Sequence, residues 1–211
     1  LALTVTFLSG FMFFGIGPTS AGFTYVVRNF AREEHAWVAS DFFEHMKKNI
    51  KEGFLAFLID IIVIIIFGVN MWYYSHMSAQ YTIAGIVKYL ILFIFLIYMM
   101  MHIYVYPMMV TYNLKVRHIY KNAFIFTVLK LPHTFGIFLL LVFVWIIPFL
   151  LMIATGAVFV LFLYPLIWIS ILGLIQNFYT NYVFNIYLNP KIDSSSSGNV
   201  DQSENNESSN S

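Results

Sequence analysis

Residues 54–75, FLAFLIDIIVIIIFGVNMWYYS, decide the class of this protein. A helix of that length is about 33 Å long, enough to cross a hydrocarbon core about 30 Å thick. The apolar run is continuous rather than alternating, which points to a helix and not to a barrel strand. It ends in Trp72, Tyr73 and Tyr74, the residue types that sit at membrane interfaces. The whole chain agrees with this stretch. Of 211 residues 60% are hydrophobic and only 10% charged, and mean hydropathy is +0.79, far from the balance of soluble domains. The expectation is therefore an all-α, polytopic membrane helix bundle. With no cysteine, disulfides and thiolate chemistry are excluded. A formal charge of +1 argues against a nucleic-acid binder.

Working outward from residues 54–75, a polar turn from His76 to Tyr81 leads into an apolar run over 82–106, which predicts an antiparallel hairpin closed by Pro107. The next stretch, 107–133, PMMVTYNLKVRHIYKNAFIFTVLKLPH, is a basic connector with Lys115, Arg117, Lys121 and Lys130. Residues 134–153 and 157–178 then predict a second hairpin, joined only by Ala154-Thr155-Gly156. Pro148 and Pro165 lie inside it and are expected to kink it. The stretch 189–211, NPKIDSSSSGNVDQSENNESSNS, reads as a disordered Ser- and Asn-rich tail after a membrane domain over 1–188.

Toward the N-terminus, 19–52 mixes Arg28, Arg32, Lys47, Lys48 and Lys51 with Glu33, Glu34, Asp41, Glu44 and Glu52. It reads as amphipathic rather than spanning. Val38, Phe42, Met46 and Ile50 form a helical stripe, with Asp41 and Glu44 as a capping-box start. Two placements stay open, a helix lying in the membrane surface or one packed on the spans. Residues 1–16 read as a first span, ended by Gly15-Ile16-Gly17-Pro18; they lack a signal-peptide pattern, and a segment upstream is expected. The total is five spans. Lys and Arg concentrate in 19–53 and 107–133 and are missing from the turns at 76–81 and 154–156, which predicts cytoplasmic long connectors and a cytoplasmic C-terminus.

Ionisable groups at membrane depth are candidate functional groups because an unpaired charge there is costly. Asp60 is about 10 Å from the start of its span and His102 about 6 Å from the end of its own, so hairpin neighbours can bring them together. Such a pair would carry protons, contact a solute, or simply bond two helices. Lys88 and Asn70 lie nearer the other end, where snorkelling to headgroups explains them. Asn177, Asn181, Asn185 and Asn189 make one polar face, read as a binding face or as solvated helix. The histidines lack metal-ligand spacing, the run Met99 to Met101 reads as adaptable packing, and neither a phosphate loop nor a nucleophile elbow occurs. No metal, cofactor or catalytic residue is expected, and the chain does not read as an enzyme.

Gly17-Pro18-Thr19-Ser20-Ala21, the segment from Asp41-Phe42-Phe43 to Lys47-Lys48-Asn49-Ile50-Lys51, and the connector with Lys121-Asn122-Ala123 and Leu131-Pro132-His133-Thr134 together resemble the YesL family. These are small bacterial multi-pass membrane proteins, formerly a domain of unknown function, and the resemblance runs from Leu1 to Tyr187. It implies a place in the bacterial cell membrane, beside carbohydrate importers of the ABC type, with importer subunits as partners. On that reading the chain is an accessory component that docks a partner or anionic lipid through Lys47, Lys48, Lys51, Lys115, Arg117, Lys121 and Lys130. The alternative is an autonomous small transporter using Asp60 and His102.

Overall fold

A computed structural model describes residues 15–78, 81–112, 114–156 and 160–189, the side chains of 160–167 excepted. Among the described residues every regular element is a helix. In chain order these are α1 (Ile16–Ala31), α2 (Val38–Lys48), α3 (Ile50–Met77), α4 (Thr82–Thr111), α5 (Val116–Leu129), α6 (Leu131–Thr155) and α7 (Val160–Tyr187). Three of them, α3, α4 and α6, are long and apolar enough to cross a membrane, and they contain the expected spans 54–75, 82–106 and 134–153. The expected span 157–178 falls largely on α7. Residues 1–14 of the expected first span, and 190–211 of the expected tail, lie outside the described residues.

The Gly-Pro sequence opens a helix, while the span it was expected to end lies outside the described residues. Gly15 holds a left-handed φ of 79° and α1 begins at Ile16. Pro18 then sits in the first turn, where a backbone N–H would have no partner anyway. α1 is also the most enclosed helix. Ala21, Val26, Val27 and the polar Thr19 are fully buried, and its polar Thr24 and Asn29 are nearly so. It packs against α2, α3, α4 and α7, so the first half of 19–52 lies inside the bundle and not on its surface.

Close approach makes this possible. A Cβ on Gly17 would overlap the Gly53 carbonyl oxygen, and one on Gly53 would stand 2.9 Å from Pro18 Cα. α1 and α3 therefore touch backbone to backbone, as small residues allow in membrane helix pairs. Where α2 crosses, Gly22 faces the Phe42 carbonyl and Met46. Phe42 and Met46 are fully buried there. α2 thus packs on α1 through Phe42 and Met46, while Ile50, the last residue of the expected stripe, is exposed at the start of α3. It starts at Val38, and Asp41 Oδ2 accepts from the Trp37 N–H at 2.9 Å. Asp41 acts from inside the first turn and is not the cap itself, which corrects the capping-box reading.

Burial is uneven along the spans. In α4 the buried residues, apart from Ala84, run from Met100 to Val110, and they meet Ile119, Ala123 and Phe126 of α5 and Val183 and Phe184 of α7. This core sits at the end of the bundle that carries the basic segments. Further along, α3, α4 and α6 turn Ile62, Ile65, Val69, Ile86, Leu90, Phe93, Phe143 and Leu150 outward. Such an apolar surface suits hydrocarbon, where helices gain nothing by hiding apolar side chains from their surroundings.

Pro107 does not close the span, as the sequence suggests; α4 continues through it to Thr111. The missing N–H would have bonded the carbonyl of Ile103, four residues back. That oxygen accepts instead from Gln176 Nε2 of α7 at 2.9 Å. α6 solves the same problem the same way. It runs through Pro148, and the carbonyl of Val144, four residues earlier, accepts from Trp168 Nε1 of α7 at 2.8 Å.

The glycine crossing gives a direct test. Gly17→Ala should lower stability by about 2 kcal/mol or more, because backbone cannot move aside as a flexible side chain can. Gly136→Ala, with no atom within 4 Å of its would-be Cβ, should leave stability unchanged or raise it by up to about 1 kcal/mol. Thermal unfolding of the helical signal in one detergent reads both; equal shifts would contradict the crossing.

Candidate functional site

Asp60 and His102 meet. Asp60 lies ten residues into α3, about 15 Å along it. His102 Nε2 on α4 is 3.1 Å from Asp60 Oδ1. That is ion-pair distance, yet the direction does not suit a hydrogen bond, and Nε2 has no aligned partner. The aligned donors to Oδ1 are two phenols. Tyr98 of α4 donates at 2.5 Å and Tyr120 of α5 at 3.0 Å. Tyr98 is one helical turn before His102, and its ring meets the imidazole edge to face, centroids 4.9 Å apart. Tyr120 comes from the buried side of α5, beside Ile119 and Ala123. One carboxylate therefore ties three helices, and hydrogen bonds to such a group are among the stronger ones, about 1.5–3 kcal/mol each.

Two residues after His102, about 200° further around the helix, Tyr104 faces the other way. Its hydroxyl lies 2.7 Å from Thr134 Oγ1 of α6 and 3.0 Å from the Tyr179 hydroxyl of α7, with 3.1 Å between the last two. Three hydroxyls in a triangle satisfy one another, each giving and accepting. α4 is thus bonded on one face to α3 and α5 and on the opposite face to α6 and α7.

One cavity, about 360 Å³ between α3 and α4, is lined by Tyr98 of the Asp60 network with Asn70 and apolar side chains, and two others lie against α7. The larger, about 570 Å³, lies between α4, α6 and α7 and is lined by His102 and Gln176 amid apolar side chains including Phe138, Leu141 and Trp145. The smaller, about 220 Å³, lies between α1, α4 and α7 and is lined by Ser20, Thr24, Tyr106, Gln176 and Asn177 with Phe23, Ile169, Leu172 and Gly173. Asp60 lines none of the three. Asn177 is 2% exposed; its Nδ2 donates to the Gly173 carbonyl at 2.9 Å, while its Oδ1 has no hydrogen-bond partner. Leaving such an acceptor unmade costs about 1–3 kcal/mol.

The asparagine face of α7 is not a uniformly solvated surface. Asn177 is buried, Asn181 accepts from Arg32 Nε at 3.0 Å, and Asn189 accepts from the Tyr112 hydroxyl at 2.8 Å. Asn185, bonded to Asn189 at 2.6 Å, is exposed. Arg28 donates from Nη1 to the Val110 carbonyl at 3.1 Å, at the negative end of α4, and lies over the Tyr25 ring. Burial and the neighbouring Arg32 lower its pKa from the ordinary value. On α2, His45 stacks on Tyr25, and burial followed by Lys48 lowers its pKa.

Lys47, Lys48, Lys51, Lys115, Arg117 and Lys121 are all exposed. Lys130 lies over the Tyr187 ring, 4.4 Å from its centre, and hydrogen bonding with the Tyr187 side chain raises its pKa. Lys88 lies against Tyr89, while Asn70 bonds back to the Ile66 carbonyl of its own helix. Met100 and Met101 are buried in the core, with Met99 turned outward. Tyr98, Tyr120, Gln176 and Trp168 are the partners that reading the sequence missed. Only Tyr98, at helical spacing from His102, had a local signal.

A family model described as "Protein of unknown function, DUF624" matches residues 1–71. This is the domain by which the YesL family was formerly known, so the family suggested by the motifs fits. The match takes in α1, α2 and most of α3, the helices joined at Gly17, Gly22 and Gly53. No curated protein and no solved structure matches the chain.

If Gln176 serves the carbonyl that Pro107 releases, the two residues are coupled. Gln176→Leu in the native chain should cost about 1–3 kcal/mol through the orphaned oxygen. In a Pro107→Ala background, where the helix can satisfy Ile103 itself, the same change should cost at least about 1 kcal/mol less. Unfolding of the four proteins in one detergent measures the cycle; additive effects would remove the coupling.

Proposed function

We propose that this membrane-like helical protein is an accessory, non-catalytic component of a bacterial carbohydrate uptake system of the ABC type and does not carry solute by itself. The observation that carries the first half is the fate of Asp60. Its oxygen is engaged by Tyr98 and Tyr120 with His102 alongside, and it lines none of the three cavities described above. A carboxylate used to join α3, α4 and α5 is what a scaffold needs. The importer setting rests on the YesL resemblance alone, an argument from association.

Docking is assigned to the exposed cations, Lys47, Lys48 and Lys51 near the α2–α3 junction and Lys115, Arg117 and Lys121 around α5, placed on the cytoplasmic side by the distribution of Lys and Arg. Anionic lipid headgroups would be drawn to the same side, each cation near the surface contributing about 1 kcal/mol. Lys130, already over Tyr187, contributes less than the others to an outside partner.

A second reading has its own observation. His102 both touches Asp60 and lines the larger cavity, so a proton or solute path through that pair defines the transporter alternative.

Purification in mild detergent from cells with an induced carbohydrate importer should enrich permease or ATPase subunits, and substituting Lys115, Arg117 and Lys121 by Ser should reduce that enrichment. Absence of enrichment from the native chain contradicts the accessory reading. In proteoliposomes the purified chain should give no uptake of the importer's sugar; uptake abolished by Asp60→Asn would establish the transporter instead.

A further inference from the structure

We infer that α5 is a lipid-binding helix whose outward face takes anionic phospholipid, the phosphates against Lys115, Arg117 and Lys121 and the acyl chains against Phe124, Val128 and Leu129. This names the partner of the α5 cations and rests on their assignment to docking above, but it does not need the importer.

The position of α5 comes first. It crosses the bundle rather than standing beyond it. On one side the Tyr120 hydroxyl reaches Asp60 of α3 at 3.0 Å, and Asp60 is six residues, about 9 Å, past the start of the apolar run at Phe54. Toward its other end the Phe126 ring packs with Tyr104 of α4 and Phe184 of α7. A single residue, Lys130, then separates α5 from the long apolar helix α6. A helix held at these points lies at the rim of the hydrocarbon, within reach of a leaflet.

Its outward face has two halves. Val116, Ile119, Ala123, Phe126 and Thr127 are buried in the bundle. The opposite side carries Arg117, Lys121, Phe124 and Val128, at i, i+4, i+7 and i+11, which is one stripe of an α-helix. The first half of that stripe is cationic. The second is apolar, and Phe124, Val128 and the adjacent Leu129 are 52%, 48% and 67% exposed. Water suits the first half and not the second. A phospholipid leaflet suits both, with phosphates beside the cations and acyl chains beside the apolar residues, the arrangement of a helix lying in a membrane interface.

Charge selects the headgroup. Between Asp60 and Asp193 the chain has no Asp or Glu, so Lys115, Arg117 and Lys121 have no acidic neighbour along the sequence. Cations at this level attract anionic headgroups, and their long stems lie on apolar surface while the charged tips reach the phosphates. A free phosphate ion would leave Phe124, Val128 and Leu129 in water, so the ligand is the lipid.

The test uses the full chain in lipid nanodiscs with no importer subunit present, so its failure and that of the importer reading are separate results. Single thiols placed in the cysteine-free chain carry a small fluorophore, which phospholipids brominated on their acyl chains quench on contact. Probes on Val128→Cys and Leu129→Cys should be quenched, and a probe on Ser40→Cys, exposed on α2, should not. With the probe on Phe124→Cys, brominated phosphatidylglycerol as a minor lipid should quench about fivefold or more efficiently than brominated phosphatidylcholine. Substituting Lys115, Arg117 and Lys121 by Ser should abolish that preference, and high salt should weaken it in the chain that keeps its cations. The inference is overturned if the probes on Val128→Cys and Leu129→Cys are quenched no more than that on Ser40→Cys, which leaves a protein surface or water over α5. Equal quenching by the two lipids at Phe124→Cys overturns the choice of headgroup, and a preference that survives both the substitution and high salt overturns the role of the cations.

Discussion

Two backbone oxygens, those of Ile103 and Val144, set the conditions under which this bundle can exist. Each is released by a proline four residues later in an apolar helix, in a setting where an unsatisfied backbone group costs several kcal/mol. Each is taken up by one side chain of α7, Gln176 or Trp168. α4 and α6 can therefore pass through their prolines only while α7 lies alongside them. The Tyr104–Thr134–Tyr179 triangle fastens the same three helices nearby. α7 is held by polar bonds whose alternative is an orphaned group, which is a stronger constraint than apolar packing between helices that lipid would solvate equally well.

The other half of the assembly follows from α1. Glycines let it lie in contact with α3 at Gly17 and Gly53, and with α2 at Gly22, while Gly173 of α7 admits the Phe23 ring. Its basic end is bound as well, Arg28 to the end of α4 and Arg32 to Asn181 of α7. The outcome is a core concentrated at one end of the molecule and long apolar helix surfaces at the other. A protein built this way carries its exposed cations near the buried core and long apolar helix surfaces beyond it.

Much of this was legible in the sequence, for physical reasons that also mark where reading stopped. Continuous apolar runs with aromatic ends locate α3, α4 and α6, since length and hydropathy are local properties. Asp60 and His102 could be matched because a tight hairpin fixes which depths face each other. Tyr120 could not be added, since nothing local distinguishes it from the other tyrosines until α5 is laid against α3. Pro107 was read as a stop because the rule for proline is local, whereas its remedy, Gln176, lies far along the chain. α1 was read only as part of an amphipathic, non-spanning segment. Its Thr, Ser, Asn and Arg residues look like a wet surface in sequence, and partners on four other helices turn them into interior groups.

The central claim is that the polar residues of α1 and α7 face the interior of the bundle, and the cysteine-free chain allows it to be tested by placing single thiols. The measurement is the rate at which a membrane-impermeant maleimide labels Asn29→Cys and Thr180→Cys, compared with Ser40→Cys and Asn185→Cys, in open membrane fragments. Asn29 and Thr180 are 4% and 1% exposed, while Ser40 and Asn185 are exposed. The account predicts rapid labelling of the second pair and almost none of the first until the protein is denatured. Labelling of Asn29→Cys as fast as Ser40→Cys in the native membrane would mean that α1 lies on the surface, and would contradict it.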